Sequence, residues 1–112
     1  MKKIAMLNCL KANEVCTGAA CMKAFNEKSR SFERYREEET VVAAFMRCNG
    51  CDAHPGEDKG LQEKLDRLVK EGVQAVHAGI CTKDRQGEEC PVITDILSDI
   101  ESRGIEVIRG TH

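Results

Sequence analysis

The chain has no tryptophan, and only one tyrosine and three phenylalanines among its 112 residues. Its interior should therefore be aliphatic, drawn from Val, Ile, Leu, Ala and Met, which suits a buried sheet. Long apolar runs are missing too. No stretch approaches the roughly 20 residues of a membrane span. Met1-Lys2-Lys3 precedes Ile4 to Leu7, but this run falls short of the roughly 7–15 apolar residues of a signal peptide. A cytoplasmic location and no membrane partner are expected. Neither sign of charge dominates, with 17 basic and 19 acidic residues and a formal net charge of −2. There is no basic stripe of the kind that contact with a phosphate backbone requires. Arg30, Arg34 and Arg36 are offset by Glu33, Glu37, Glu38 and Glu39, the pattern of a solvated face, so nucleic acid is not an expected partner. Repeats, low-complexity segments and linkers are absent, and the length suffices for one core, so residues 1–112 should form one domain.

Cysteine is what the chain has in excess: seven residues. In a reducing compartment so many thiols in a short chain point to metal ligands or redox groups rather than structural disulfides, and an odd number argues against a fully paired framework.

The periodicity alternates between strand and helix. Lys3 to Asn8 is a short apolar strand ending at Cys9, and Ala20 to about Ser29 has a helical face carrying Cys21 or Met22, Phe25 and Ser29 and extending towards Phe32. The charged stretch through Glu39 returns the chain. Thr40 to Met46 is apolar almost throughout, as a strand covered on both faces is, and it stops at Cys48. Leu61, Leu65, Leu68 and Val69 mark a second helix that starts near Lys59 and is closed by Gly72. Val73 to Ile80 is the third strand, ending at Cys81. A polar loop, Thr82 to Glu89, leads to Cys90-Pro91 and a helix with Ile93, Ile96, Leu97 and Ile100 on one stripe, stopped by Gly104. Ile105 to Ile108 is the last strand. This order predicts an α/β fold: a single three-layer domain with a four-stranded parallel sheet in flavodoxin- or Rossmann-like βαβαβαβ order.

In such a sheet the carboxyl ends of all strands share one edge, and ligands bind in the crevice outside it. Cys9 follows the first strand, Cys48 and Cys51 the second, Cys81 the third, and His112 lies beyond the fourth. The opposite edge carries no cysteine or histidine. Cysteines used as small core residues would scatter through helices and strands, whereas these collect in loops. Cys21 is the expected exception, a thiol packed on the first helix.

Cys48-Asn49-Gly50-Cys51 is a C-x-x-C pair, a spacing that lets two sulfurs reach one ion while Asn49-Gly50 turns the chain. Thiol redox chemistry uses the same spacing, but with the pair at a helix N-terminus; here the expected helix begins later. Cys9, Cys16 and Cys21 span the first loop, and Cys81 and Cys90 bracket the third. Tetrahedral Zn²⁺ needs four N or S ligands and iron–sulfur clusters commonly four cysteines, so candidates exceed the need of one ion. Of the histidines, His77 lies inside the third strand, roughly 13 Å back from Cys81 at about 3.3 Å per residue, which favours a core position. His54 lies in the Cys51 loop, and His112 lies on the cysteine-rich edge. The first loop, Cys9 to Gly18, lacks a glycine fingerprint and a phosphate-binding lysine motif, which ranks a nucleotide-binding module last.

Taken together, Cys48-Asn49-Gly50-Cys51, Val76-His77 followed by Cys81, Cys90-Pro91 and Gly110-Thr111-His112 resemble the CGGC domain family, small prokaryotic proteins described as metal-binding. The resemblance covers essentially the whole chain and implies Cys9, Cys48, Cys51, Cys81, Cys90, His77 and His112 as candidate metal-site residues. The family's motif has glycine where this chain has Asn49, a residue that tolerates positive φ better than most. The expected function is therefore binding of Zn²⁺ or an iron–sulfur cluster. The alternative is a thiol/disulfide redox or cysteine-nucleophile enzyme using Cys48 and Cys51.

Overall fold

A computed structural model of the chain describes residues 1–112. Strands β1 (Lys2–Asn8), β2 (Thr40–Arg47), β3 (Ala75–Ala78) and β4 (Glu106–Arg109) alternate with helices α1 (Ala19–Glu27), α2 (Lys59–Lys70) and α3 (Pro91–Ser102). The strands form one all-parallel sheet in the order β2-β1-β3-β4, the first four places of the flavodoxin-like order. Central β1 is buried from Ile4 through Asn8, as its unbroken apolar run requires.

Local chemistry sets the helix boundaries. The Asp58 carboxylate accepts the Leu61 N–H at 2.9 Å and starts α2. Gly72 at φ +77° ends it, turning the Val73 N–H back onto Leu68 O at 3.0 Å. Pro91 occupies the first turn of α3, where its missing N–H costs no helical bond. Leu61, Leu65 and Leu68 of α2 and Val92, Ile93, Ile96, Leu97 and Ile100 of α3 cover one sheet face together with Ala5, Leu7, Val76 and Ala78. The smaller opposite core joins Ile4, Met6, Ala75 and Ile108 to Cys21, Ala24 and Phe25 of α1 and to Phe32 and Tyr35. Each large aliphatic side chain buried this way contributes about 1.5–3 kcal/mol.

Two expectations need correcting. β3 is shorter than Val73 to Ile80, because Val73 belongs to the cap of α2 and the chain turns at Ile80–Thr82 in a 3₁₀ turn. The charged stretch before β2 is more than a return loop. Arg30–Tyr35 forms a 3₁₀ segment that buries Phe32 and Tyr35, with Phe25 and Phe32 edge to face at 5.6 Å.

One consequence of the strand order matters for function. The chain leaves β1 towards β2 on one side and later crosses to β3 on the other. The carboxyl ends of β1 and β3 therefore flank a topological switch point, where open α/β sheets leave a crevice.

Candidate functional site

Asn8, Cys9, Gly79 and Cys81 stand at that switch point. Gly79 has φ −66° and ψ 157°, a conformation open to any residue, so its lack of a side chain is a matter of space. A Cβ there would run into Asn8 Oδ1 and sit 3.3 Å from Cys81 Sγ. Asn8 is only 1% exposed, and its Oδ1 has no hydrogen-bond partner, an uncommon condition for a buried carbonyl.

Two successive backbone amides at the end of β1 are committed to sulfur. Cys9 N–H donates to Cys81 Sγ at 3.3 Å, and Leu10 N–H donates to Cys48 Sγ at 3.3 Å. Sulfurs from the ends of β2 and β3 thus converge on the loop that leaves β1. The Cys9 amide favours the Cys81 thiolate. Burial acts the other way and pushes the Cys81 thiol above its ordinary range. The Cys9 amide opposes this, while nearby Cys9, Cys21 and Cys16 add to the rise. Four cysteines from three segments therefore share one electrostatic neighbourhood. Cys16 is exposed and accepts from Gly18 N–H at 3.3 Å. Cys21, in the first turn of α1, is buried with its Sγ 3.0 Å from Thr111 Oγ1 and 3.7 Å from His112 Nδ1.

The C-x-x-C loop is fastened separately. Lys64 of α2 donates to Arg47 O at 2.7 Å and to Asn49 Oδ1 at 2.6 Å, while Asn49 Nδ2 donates to Asp58 Oδ1 at 3.0 Å. Burial holds the Lys64 pKa down, and the charges of Cys48 and Asp58 raise it. Positive φ in this loop falls on Gly50, at +112°, and not on Asn49. Asn49 is accommodated because its side chain bridges the loop to α2, so backbone tolerance is not the reason it fits. Cys48 is buried and Cys51 exposed. With α2 beginning at Lys59, neither sulfur has the helix N-terminus that activates redox cysteines.

Of the expected site residues, the structure brings Cys9, Cys48 and Cys81 to the loop after β1 and places His112 beside Cys21. It does not bring Cys51, Cys90 and His77 into this group of contacts. Cys90 is the residue before α3, with its N–H on Thr82 O at 2.9 Å. His77 is fully buried in β3. Its Nδ1 lies 3.0 Å from Ser31 Oγ, its Nε2 lies 2.8 Å from the Tyr35 hydroxyl, and Phe32 stacks on the ring at 4.4 Å. Both nitrogens are occupied, and burial, aided by the Arg34 charge, pushes the pKa down to about 4. Burial likewise pushes Tyr35 up to about 12. His54, on the loop after Cys51, contacts the Asp95 carboxylate at 2.5 Å with both groups half-exposed. No three His, Cys, Asp or Glu side chains are assembled as a metal-binding group, and no helix is long and apolar enough to cross a membrane.

Sequence reasoning overlooked Asn8 and Thr111 and set Cys21 aside. Asn8, a polar residue closing an apolar strand at the sheet's carboxyl end, carried a usable signal. Cys21 lies in the first turn of its helix, facing the same edge as the loops.

Among known proteins, the chain is 37% identical over 118 aligned residues to the uncharacterized protein MJ0582 of Methanocaldococcus jannaschii, an alignment covering 98% of this chain and 86% of that protein. No solved structure matches it. The CGGC domain profile matches residues 3–112. The chain therefore belongs to the CGGC domain family.

Proposed function

We propose that the protein binds a thiophilic metal, Zn²⁺ or an iron–sulfur cluster, at the carboxyl edge of its sheet. Cys9 and Cys81 form the centre of the ligand set, with Cys48, Cys51 and His112 on the loops around them. The pairing of two successive amides, from Cys9 and Leu10, with the sulfurs of Cys81 and Cys48 carries this reading. Hydrogen bonds to sulfur are how proteins orient and tune metal thiolates.

The residues fit a metal in kind. The donors are soft thiols, Gly79 lets Asn8 Oδ1 and Cys81 Sγ close in on the end of β3 where a side chain would collide with them, and Asn8 Oδ1 is an acceptor still without a donor. Burial disfavours a Cys81 thiolate standing alone, and a cation beside it removes that disadvantage. Since the ligand sulfurs are not already gathered around one point, binding draws the first loop and the C-x-x-C loop together. A bound ion with four protein ligands would clamp these loops, and one with three would keep an open position for Lewis-acid chemistry. Cys90 and His77, implied by family resemblance, act in this reading as supports: Cys90 leads into α3, and His77 packs under the sheet end.

The test is anaerobic purification with Zn, Fe and acid-labile sulfide measured per chain, alongside a thiol titration, for the wild type and Cys81→Ser. Stoichiometric metal in the wild type and its loss in the variant are expected. A folded, metal-free wild type that takes up no added Zn²⁺ or iron would overturn the proposal and leave thiol chemistry at Cys48 and Cys51 as the reading to pursue.

A further inference from the structure

We infer that Cys21 and His112 are a sulfur and a nitrogen ligand of the same ion, which makes the site a mixed S/N one for a tetrahedral divalent cation of the zinc class rather than an all-cysteine iron–sulfur cluster. This rests on the metal-binding reading above and deepens it.

The separation of the two atoms is the first observation. Cys21 Sγ and His112 Nδ1 are 3.7 Å apart. With Zn–S near 2.3 Å and Zn–N near 2.0–2.1 Å, two ligands of a tetrahedral zinc lie about 3.6 Å apart. The pair already spans one edge of such a polyhedron, although the two residues are far apart in sequence.

Their surroundings hold that separation. Gly110, at φ +91°, turns the chain after β4 and donates its N–H to Ala78 O at 2.8 Å. Thr111 follows, fully buried, with Oγ1 3.0 Å from Cys21 Sγ and 2.9 Å from His112 Nδ1. One hydroxyl thus touches both candidate ligand atoms and remains available to bond the sulfur when an ion takes its place between them. Cys21 lies in the first turn of the nine-residue α1, so its position is fixed by the helix while its sulfur stays at the sheet's carboxyl edge. The Gly110–Ala78 bond sets Thr111 and His112 beside the end of β3, one residue before Gly79, so the pair adjoins the β1–β3 crevice and not a separate surface.

Imidazole changes which metals the site suits. A site offering imidazole with two or three thiolates matches the Cys₃His and Cys₂His₂ sets of tetrahedral zinc, whereas clusters draw commonly on four cysteines.

An anaerobic titration with Co²⁺, a coloured probe of tetrahedral thiolate sites, tests the inference on the intact wild type, His112→Gln, Cys21→Ser and Cys90→Ser. His112 is exposed, so its replacement leaves folding intact even if Cys21→Ser proves unstable. One Co²⁺ per wild-type chain with tetrahedral visible bands is expected, displaced by Zn²⁺. His112→Gln should weaken binding at least about tenfold and shift those bands. Cys21→Ser should lose one sulfur's share of the charge-transfer absorption, and Cys90→Ser should match the wild type. Wild-type affinity and spectrum in both His112→Gln and Cys21→Ser would overturn this ligand assignment while leaving metal binding standing. A brown wild type with acid-labile sulfide and no Co²⁺ site would also overturn it. A wild type that binds neither Co²⁺, Zn²⁺ nor iron would overturn both readings.

Discussion

The two halves of the sheet's carboxyl edge are built on different plans. On the β2 side, Cys48 and Cys51 sit in a loop tied to α2 through Asn49, Lys64, Asp58 and the Arg47 carbonyl. On the β1–β3 side, Cys9, Cys16, Cys21, Cys81 and His112 come from four separate stretches of chain and are held by scattered single bonds: the Asn13 side chain on Cys9 O, the Gly18 amide at Cys16, the Cys9 amide at Cys81, and Thr111 at Cys21 and His112. The half with the recognisable motif is the one tied to a single neighbouring helix by a connected set of hydrogen bonds. The half without a motif has the denser set of soft donors, the buried acceptor lacking a partner, and the close approach of Asn8 and Cys81 that Gly79 permits. A local spacing such as C-x-x-C identifies which residues stay together, whereas topology identifies which residues meet.

The comparison breaks most visibly at metal affinity. Cys81→Ser should lower Zn²⁺ affinity roughly 100- to 1000-fold, a quarter or so of the ~10–16 kcal/mol supplied by a complete structural site. Cys51→Ser, in an exposed position, should cost about tenfold. Competition against a chelator of known affinity measures both, and equal losses would erase the distinction between the halves.

Beneath the β3 end, His77 makes a prediction about pH. Its folded pKa of about 4 lies below the ordinary 6.5, so the unfolded chain binds the proton more readily. The full contribution is present above pH 6.5 and is lost as pH falls from 6.5 towards 4, up to about 3 kcal/mol. Urea unfolding of the metal-free protein at pH 7.5 and 4.5 should show this loss. His77→Gln should flatten it, and an unchanged pH dependence in that variant would mean that the ring is not held neutral.

Crowding at the switch point is the next effect. Gly79→Ala places a methyl against Asn8 Oδ1 and should destabilise the fold by about 1–3 kcal/mol. The second change Asn8→Ala should recover part of that loss in the same unfolding assay, and failure to do so would place the strain elsewhere. The smallest effect belongs to the tethered half. Asn49→Gly restores the family's motif but removes the bonds to Lys64 and Asp58, at a cost of about 1 kcal/mol, with Zn²⁺ affinity changed less than threefold. A large loss of affinity in Asn49→Gly would show that the tether positions the ligands.

Much of the fold is legible in the sequence because its strands and helices carry strong, simple periods: the apolar run of β1, the Leu61-Leu65-Leu68 stripe, and the glycines after α2 and α3. The gathering of cysteines at one edge follows from where each strand ends. The 3₁₀ segment Arg30–Tyr35 escapes because four of its six residues are polar or charged, and Phe32 and Tyr35 find cover only through the tertiary approach to β3. For the same reason the position of His77 in a strand can be read directly, while its hydroxyl partners cannot. Cys21 looks like a core thiol on any helical wheel; only the return of Thr111 and His112 reveals its neighbours. Asn49 illustrates the opposite error, since its side chain rather than its backbone freedom explains its place.

The most direct test of metal binding at this edge is X-ray absorption at the zinc edge of the anaerobically loaded protein, which reads ligand type and distance together. The account predicts a four-coordinate shell dominated by sulfur near 2.3 Å with a nitrogen contribution near 2.0 Å, the sulfur amplitude falling in Cys81→Ser. A shell of oxygen and nitrogen alone, or one unaltered in Cys81→Ser, would contradict it.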